Sequence, residues 1–88
     1  MKESFDYTPE TKRVVEQIRH AVAERLDDLA TDPKLKNAGI PLDLGEKIRT
    51  GKKVPGFVLV RDAIISVCHE YRLMPKDIDF ILNKFLEQ

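Results

Sequence analysis

The stretch Val15-Glu16-Gln17-Ile18-Arg19-His20-Ala21-Val22-Ala23-Glu24-Arg25-Leu26-Asp27-Asp28-Leu29 decides the fold class of this 88-residue chain. Val15, Ile18, Val22, Leu26 and Leu29 recur at steps of three and four, the spacing that lines one side of an α-helix. The opposite side carries Lys12, Arg13, Glu16, Arg19, Glu24, Asp27 and Asp28. Upstream, Thr8-Pro9-Glu10 has the chemistry of a helix start. A hydroxyl can accept from free N–H groups, proline suits the first helical position, and a carboxylate suits the positive end of the dipole. Downstream, Asp32-Pro33 ends the pattern, because a residue before proline is pushed out of the helical region. A helix is predicted from Pro9 to Ala30 or Thr31, after a tail at residues 1–8.

The same period returns at the other end. Ile78, Ile81, Leu82 and Phe85 stand at i, i+3, i+4 and i+7, after a start at Pro75 with Asp77 and Asp79 near the positive end. Before it, Phe57, Val60, Ile64, Val67, Cys68 and Tyr71 form a broad apolar stripe, widened by Val58 and Ile65. This predicts a central helix from Phe57 to Arg72, buried on more than one side, although the Phe57–Val60 run, rich in β-branched residues, also suits a short strand. Leu73-Met74-Pro75 separates the two helices. Ile18, Val22, Leu26, Phe57, Ile64, Cys68, Ile81 and Phe85 are expected to share one core.

All four glycines, at 39, 45, 51 and 56, fall between these arms, as do Pro33, Pro41 and Pro55. Both residues punctuate regular structure, so residues 32–56 are expected to be irregular apart from one short helix near 43–50. Asp43 with Glu46 follows the capping-box pattern, Leu44 and Ile48 would share a face, and Gly51 would end the turn. The expected fold is all-α: a small helical bundle in a single domain over 1–88, with a long N-terminal helix, a short middle helix and two C-terminal helices.

Lysine and arginine number 15, as do aspartate and glutamate, so the chain is neutral overall. Dedicated nucleic-acid or membrane-surface proteins usually carry a basic excess. Cys68 is the only cysteine and forms no intrachain disulfide, which favours a reducing compartment. Met1–Asp6 lacks the apolar run of a signal peptide, and no apolar stretch approaches the ~18–20 residues of a membrane span. The expected address is cytoplasmic, with no membrane partner.

The charge is unevenly placed. Residues 33–53 hold Lys34, Lys36, Lys47, Arg49, Lys52 and Lys53 against Asp43 and Glu46, a net of +4, whereas 1–32 carry −3 and 54–88 carry −1. Arg49-Thr50-Gly51-Lys52-Lys53 sets backbone N–H groups beside cations, as an anion site requires, but lacks the first glycine of a P-loop. Ile40, Pro41, Leu42 and Val54 are expected to be exposed beside these cations. A loop kept soluble by lysine is the simpler account; a docking site is the functional one, because loops carry function more often than cores.

Three other constellations are weaker. The Phe57–Gln88 helix–break–helix has the outline of a DNA reader, but its second helix opens on Asp77 and Asp79, with only Lys76 to offset them against phosphates. A pair of packed helices explains it as well. Glu16, His20 and Glu24 make a row that could ligate a metal, yet surface rows of i, i+4 charges are commonplace. Cys68 and His69 are adjacent on a helix and so point about 100° apart, unlike a nucleophile and its base. No catalytic residue, metal or cofactor is therefore expected. The sequence favours a non-enzymatic interaction module, a small regulatory or assembly subunit, binding a partner through Lys34, Lys36, Lys47, Arg49, Lys52 and Lys53. Another protein is the expected partner. Nucleic acid or a phosphate compound at the same segment is the alternative, an enzyme is the distant third class, and a homo-oligomer is compatible with either of the first two.

Overall fold

The stripe of the first arm folds as a helix: α1 spans Pro9–Thr31 and buries Val15, Ile18, Val22 and Leu26 with Ala23 beside them, while Leu29 at its far end is only partly buried. The structure, a computed structural model, describes residues 9–87, with side chains from Lys12 onward; the cap expected of Thr8 lies outside them. Asp32 then accepts from the Lys34 N–H at 2.9 Å and opens a 3-10 turn, η1, at Pro33–Ala38, which Gly39 ends at φ 71°. Three further helices follow: α2 at Leu44–Arg49, α3 at Val58–Glu70 and α4 at Pro75–Phe85. The fold is all-α. Among the described residues there is no β-strand, only one parallel bridge between Val54 and Leu86.

α2 lies against α1 through Leu44, Gly45 and Ile48, all buried. Its end is a Schellman turn: Lys52 N–H donates to Lys47 O at 2.8 Å, Gly51 N–H donates to Ile48 O at 3.1 Å, and Gly51 takes φ 85°. The capping box does not form. Asp43 makes no cap bond and instead faces Lys47 one turn on, at 3.7 Å. Gly45, counted above among the loop punctuators, sits inside the helix for a packing reason. A Cβ there would lie 2.9 Å from Ala23 O and would overlap the Asp27 carboxylate.

α3 packs against both α1 and α4 and buries Val60, Ala63, Ile64, Val67 and Cys68. A second Schellman turn closes it, Leu73 N–H to Cys68 O and Arg72 N–H to His69 O, with Arg72 at φ 60° where glycine is usual. α4 then returns toward the start of α3. Val54 N–H donates to Phe85 O at 2.9 Å, and Glu87 N–H donates to Val54 O at 2.8 Å, so the α2–α3 linker is pinned to the end of α4. The core draws Val15 and Ile18 from α1, Ile48 from α2, Ile64 from α3, and Ile81 and Phe85 from α4.

Three expectations about burial are corrected. Phe57 is not in the core: Pro55-Gly56 delay the helix until Val58, so Phe57 is its extended N-cap, at φ −60° and ψ 153°, and is 48% exposed. α3 is buried along one side only; Val58 is 72% exposed and Tyr71 lies beyond the last buried turn. Val54, expected at the surface, is fully buried because the bridge to Leu86 draws it inward.

Candidate functional site

The middle segment places its six basic residues in three settings. Lys34 and Lys36 are exposed on η1, a turn with no buried side chain of its own. Lys47 and Arg49 are on α2 and are engaged: Lys47 with Asp43, and Arg49 with Asp27 at 2.7 Å. The hydrogen bond to Asp27, with the nearby Asp27, Glu46 and Glu24 charges, raises the Arg49 pKa further, so this cation is a tie between α2 and α1. Lys52 and Lys53 are exposed in the linker after α2.

Two grooves adjoin this segment. The first holds about 250 Å³ between the Ala38–Ile40 turn and the start of α3, lined by Ile40, Phe57, Val58, Leu59 and Val60. Its wall includes three consecutive exposed apolar residues, Phe57, Val58 and Leu59, and Leu42 nearby is 74% exposed. Compact small-molecule pockets usually enclose about 300–1,000 Å³, so this one better suits a side chain or two of a macromolecule. Lys34 and Lys36 precede its Ala38 edge along η1.

The second groove holds about 400 Å³ and joins three elements: Arg19 of α1, Gly51 and Lys53 of the linker, and Phe80, Asn83 and Lys84 of α4. Arg19, read above as part of the polar face, has a side chain only 11% exposed. Its Nη1 donates to Ile48 O at 2.9 Å, its Nε pairs with Glu16 at 3.3 Å, and its guanidinium lies 4.9 Å from the centre of the Phe85 ring. Sequence reading identified Lys53 but neither Arg19 nor Lys84. Only their separate helices bring them together, and no local spacing signals it.

The other constellations resolve simply. Glu16 pairs with Arg19, while His20 and Glu24 edge a shallow depression beside Tyr71. Among the described residues, no three His, Cys, Asp or Glu side chains gather closely enough to hold an ion. Cys68 is buried and His69 exposed. Burial pushes the Cys68 thiol from 9.0 up to about 11, because the apolar surroundings penalise the thiolate. A thiol protonated at neutral pH is a poor nucleophile. Native Cys68 should therefore resist a thiol reagent at about pH 8 and react fully only in denaturant; rapid native labelling would show the site to be open. The raised pKa favours the protonated native state, so its stabilisation is complete below pH 9 and lost as pH climbs through about 11. Cys68→Ala should flatten that part of the pH–stability curve.

Among the described residues no helix is long and apolar enough to cross a membrane. No protein-family model, curated protein or solved structure matches the chain, so its site is read from its own residues.

Proposed function

We propose that the chain is a non-enzymatic docking module, a small regulatory or assembly subunit of the cytoplasm, in which the groove between the middle segment and the start of α3 binds an apolar, acid-flanked segment of a partner protein. The observation that carries this is the exposed run Phe57-Val58-Leu59 at the lip of the Ile40 groove. Consecutive exposed apolar residues are unfavourable in water unless a partner covers them. The same run leaves α3 without a side-chain cap, although Ser or Asp in place of Phe57 would stabilise a helix start by about 1 kcal/mol. Lys34 and Lys36, on the turn that ends at the groove's Ala38 edge, favour acidic flanks on the occupant. The nucleic-acid alternative has weaker support from the six basic residues as a set, because Lys47 and Arg49 already hold carboxylates.

Selection of a random displayed-peptide library on the immobilised full chain tests the proposal. Enriched peptides should combine two or three apolar residues with Asp or Glu. Val58→Glu should weaken them by about tenfold or more, a loss of roughly 1.4 kcal/mol, while the melting curve stays close to the parent, as exposed substitutions usually shift stability by under about 0.5 kcal/mol. Lys34→Glu with Lys36→Glu should give a smaller loss that fades with added salt. Absence of enrichment, peptides indifferent to Val58→Glu, or a dimer of this chain that Val58→Glu dissociates would each overturn it.

A further inference from the structure

We infer that the end of α4 controls the affinity of the apolar groove: the pairing of Val54 with Leu86 and Glu87 holds the Phe57-Val58-Leu59 lip in its binding position, which makes Glu87, through its backbone N–H, a positioning residue for docking. This rests on the reading of the groove as a docking site and adds what regulates it.

The lip has little of its own to hold it. Phe57, Val58 and Leu59 are all exposed, so few neighbours fix their side chains. Phe57 makes no side-chain cap bond, and the hydrogen bonds of α3 begin only with Arg61 N–H, which donates to Phe57 O at 2.9 Å. A helix start without a cap leaves its first N–H groups to water and frays. The first α3 side chain seated in the core is that of Val60.

The other end of the lip is held from outside α3. Among residues 50–57 only Val54 is buried. Its N–H donates to Phe85 O at 2.9 Å and its carbonyl accepts from Glu87 N–H at 2.8 Å, so the end of α4 takes both of its backbone groups. Leu86, between those two partners, is buried and donates back to Leu82 O, so the anchor belongs to the core. Only two residues separate Val54 from Phe57. Pro55 has its φ fixed by its ring. Gly56, the one soft joint, lies under Leu86, whose Cδ1 would stand 3.7 Å from a Cβ there. The lip is thus strung between two buried residues, Val54 and Val60, and a shift of Val54 passes to Phe57 with little slack.

An occupant must meet the lip and Ile40 at one fixed spacing. A lip ordered in advance spares the occupant the cost of ordering it. The coupling is reciprocal: whatever the pairing adds to affinity, a bound occupant adds to the pairing. Loss of the pairing should weaken an occupant by about threefold to tenfold, within what one net hydrogen bond supplies.

Glu87→Pro and Glu87→Ala separate the backbone from the side chain. Proline removes the N–H that Val54 O accepts, and the extended backbone of Leu86, at φ −109° and ψ 144°, accommodates a following proline. Alanine keeps the N–H. Binding of one enriched acidic–apolar peptide to the full chain should fall about threefold to tenfold in Glu87→Pro and stay at the parent value in Glu87→Ala, with both variants fully folded at the assay temperature. In the parent, the peptide should slow amide exchange at Glu87. Without any peptide, Arg61 N–H should exchange faster in Glu87→Pro than in the parent. Parent-like affinity in Glu87→Pro would overturn the inference and leave the docking site standing. Equal losses in the two variants would assign the effect to the Glu87 charge and overturn it as well. If no peptide binds the parent, the docking reading falls and control of affinity falls with it; Arg61 exchange then decides separately whether the pairing holds the lip, and a rate unchanged by Glu87→Pro would show that it does not.

Discussion

Phe85→Ala is expected to remove about 3–5 kcal/mol of folding stability, the usual cost of deleting a buried aromatic ring. The ring is 1% exposed at the point where α4 meets the rest of the fold. Its own carbonyl receives Val54 N–H, and its face carries the Arg19 guanidinium at 4.9 Å. Alanine therefore leaves a cavity and also removes one of the supports of a nearly buried cation, an interaction worth about 0.5–2 kcal/mol depending on its exposure. Domains of this kind hold about 5–15 kcal/mol in total. For chains of this length each kcal/mol moves the melting midpoint by roughly 4–8 °C, so a fall of more than about 12 °C is expected. Phe57→Ala supplies the contrast. Its ring is half exposed, and its loss should move the midpoint far less. Equal falls for the two would mean that Phe85 does not seat α4 as described.

Gly45→Ala tests the α1–α2 contact, and here the sign itself is informative. By helix propensity alone the change should stabilise α2, because alanine exceeds glycine by about 1 kcal/mol within a helix. The tertiary structure reverses that. The new methyl would stand 2.9 Å from Ala23 O, a backbone atom of α1 that cannot yield unless the helices part. It would also displace the Asp27 carboxylate, and with it the 2.7 Å pair to Arg49. Overpacking of this type costs about 1–3 kcal/mol, enough to cancel the propensity gain and lower the melting temperature. Gly45→Val should lower it further. A melting point raised by Gly45→Ala would mean that α2 rides farther from α1 than the structure places it.

How far the fold was legible in the sequence can be judged element by element. Val15, Ile18, Val22 and Leu26 in α1, and Ile78, Ile81, Leu82 and Phe85 in α4, were readable as buried because helix geometry converts a three-and-four spacing directly into one face. Proline and glycine marked the same boundaries before and after: Pro75 opens α4, and Gly51 ends α2 with positive φ. These are short-range properties, set by covalent geometry and by hydrogen bonds within a turn or two. Phe57 and Val54 were misread for the opposite reason. Each is apolar and neither carries a local signal of its side; the start of α3 turned one outward, and pairing with Leu86 drew the other in. The candidate sites lay further out of reach. Charge counting found Lys34, Lys36, Lys52 and Lys53, but only the packing of α2 on α1 placed Arg49 against Asp27. Arg19, Lys53 and Lys84 come from three distant parts of the chain. The sequence by itself determined the helices and their inward faces, because those depend on neighbours along the backbone. Which cations share a groove, which glycine must be small and which apolar residues stay exposed were decided only by tertiary structure, because those depend on where separate helices come to rest.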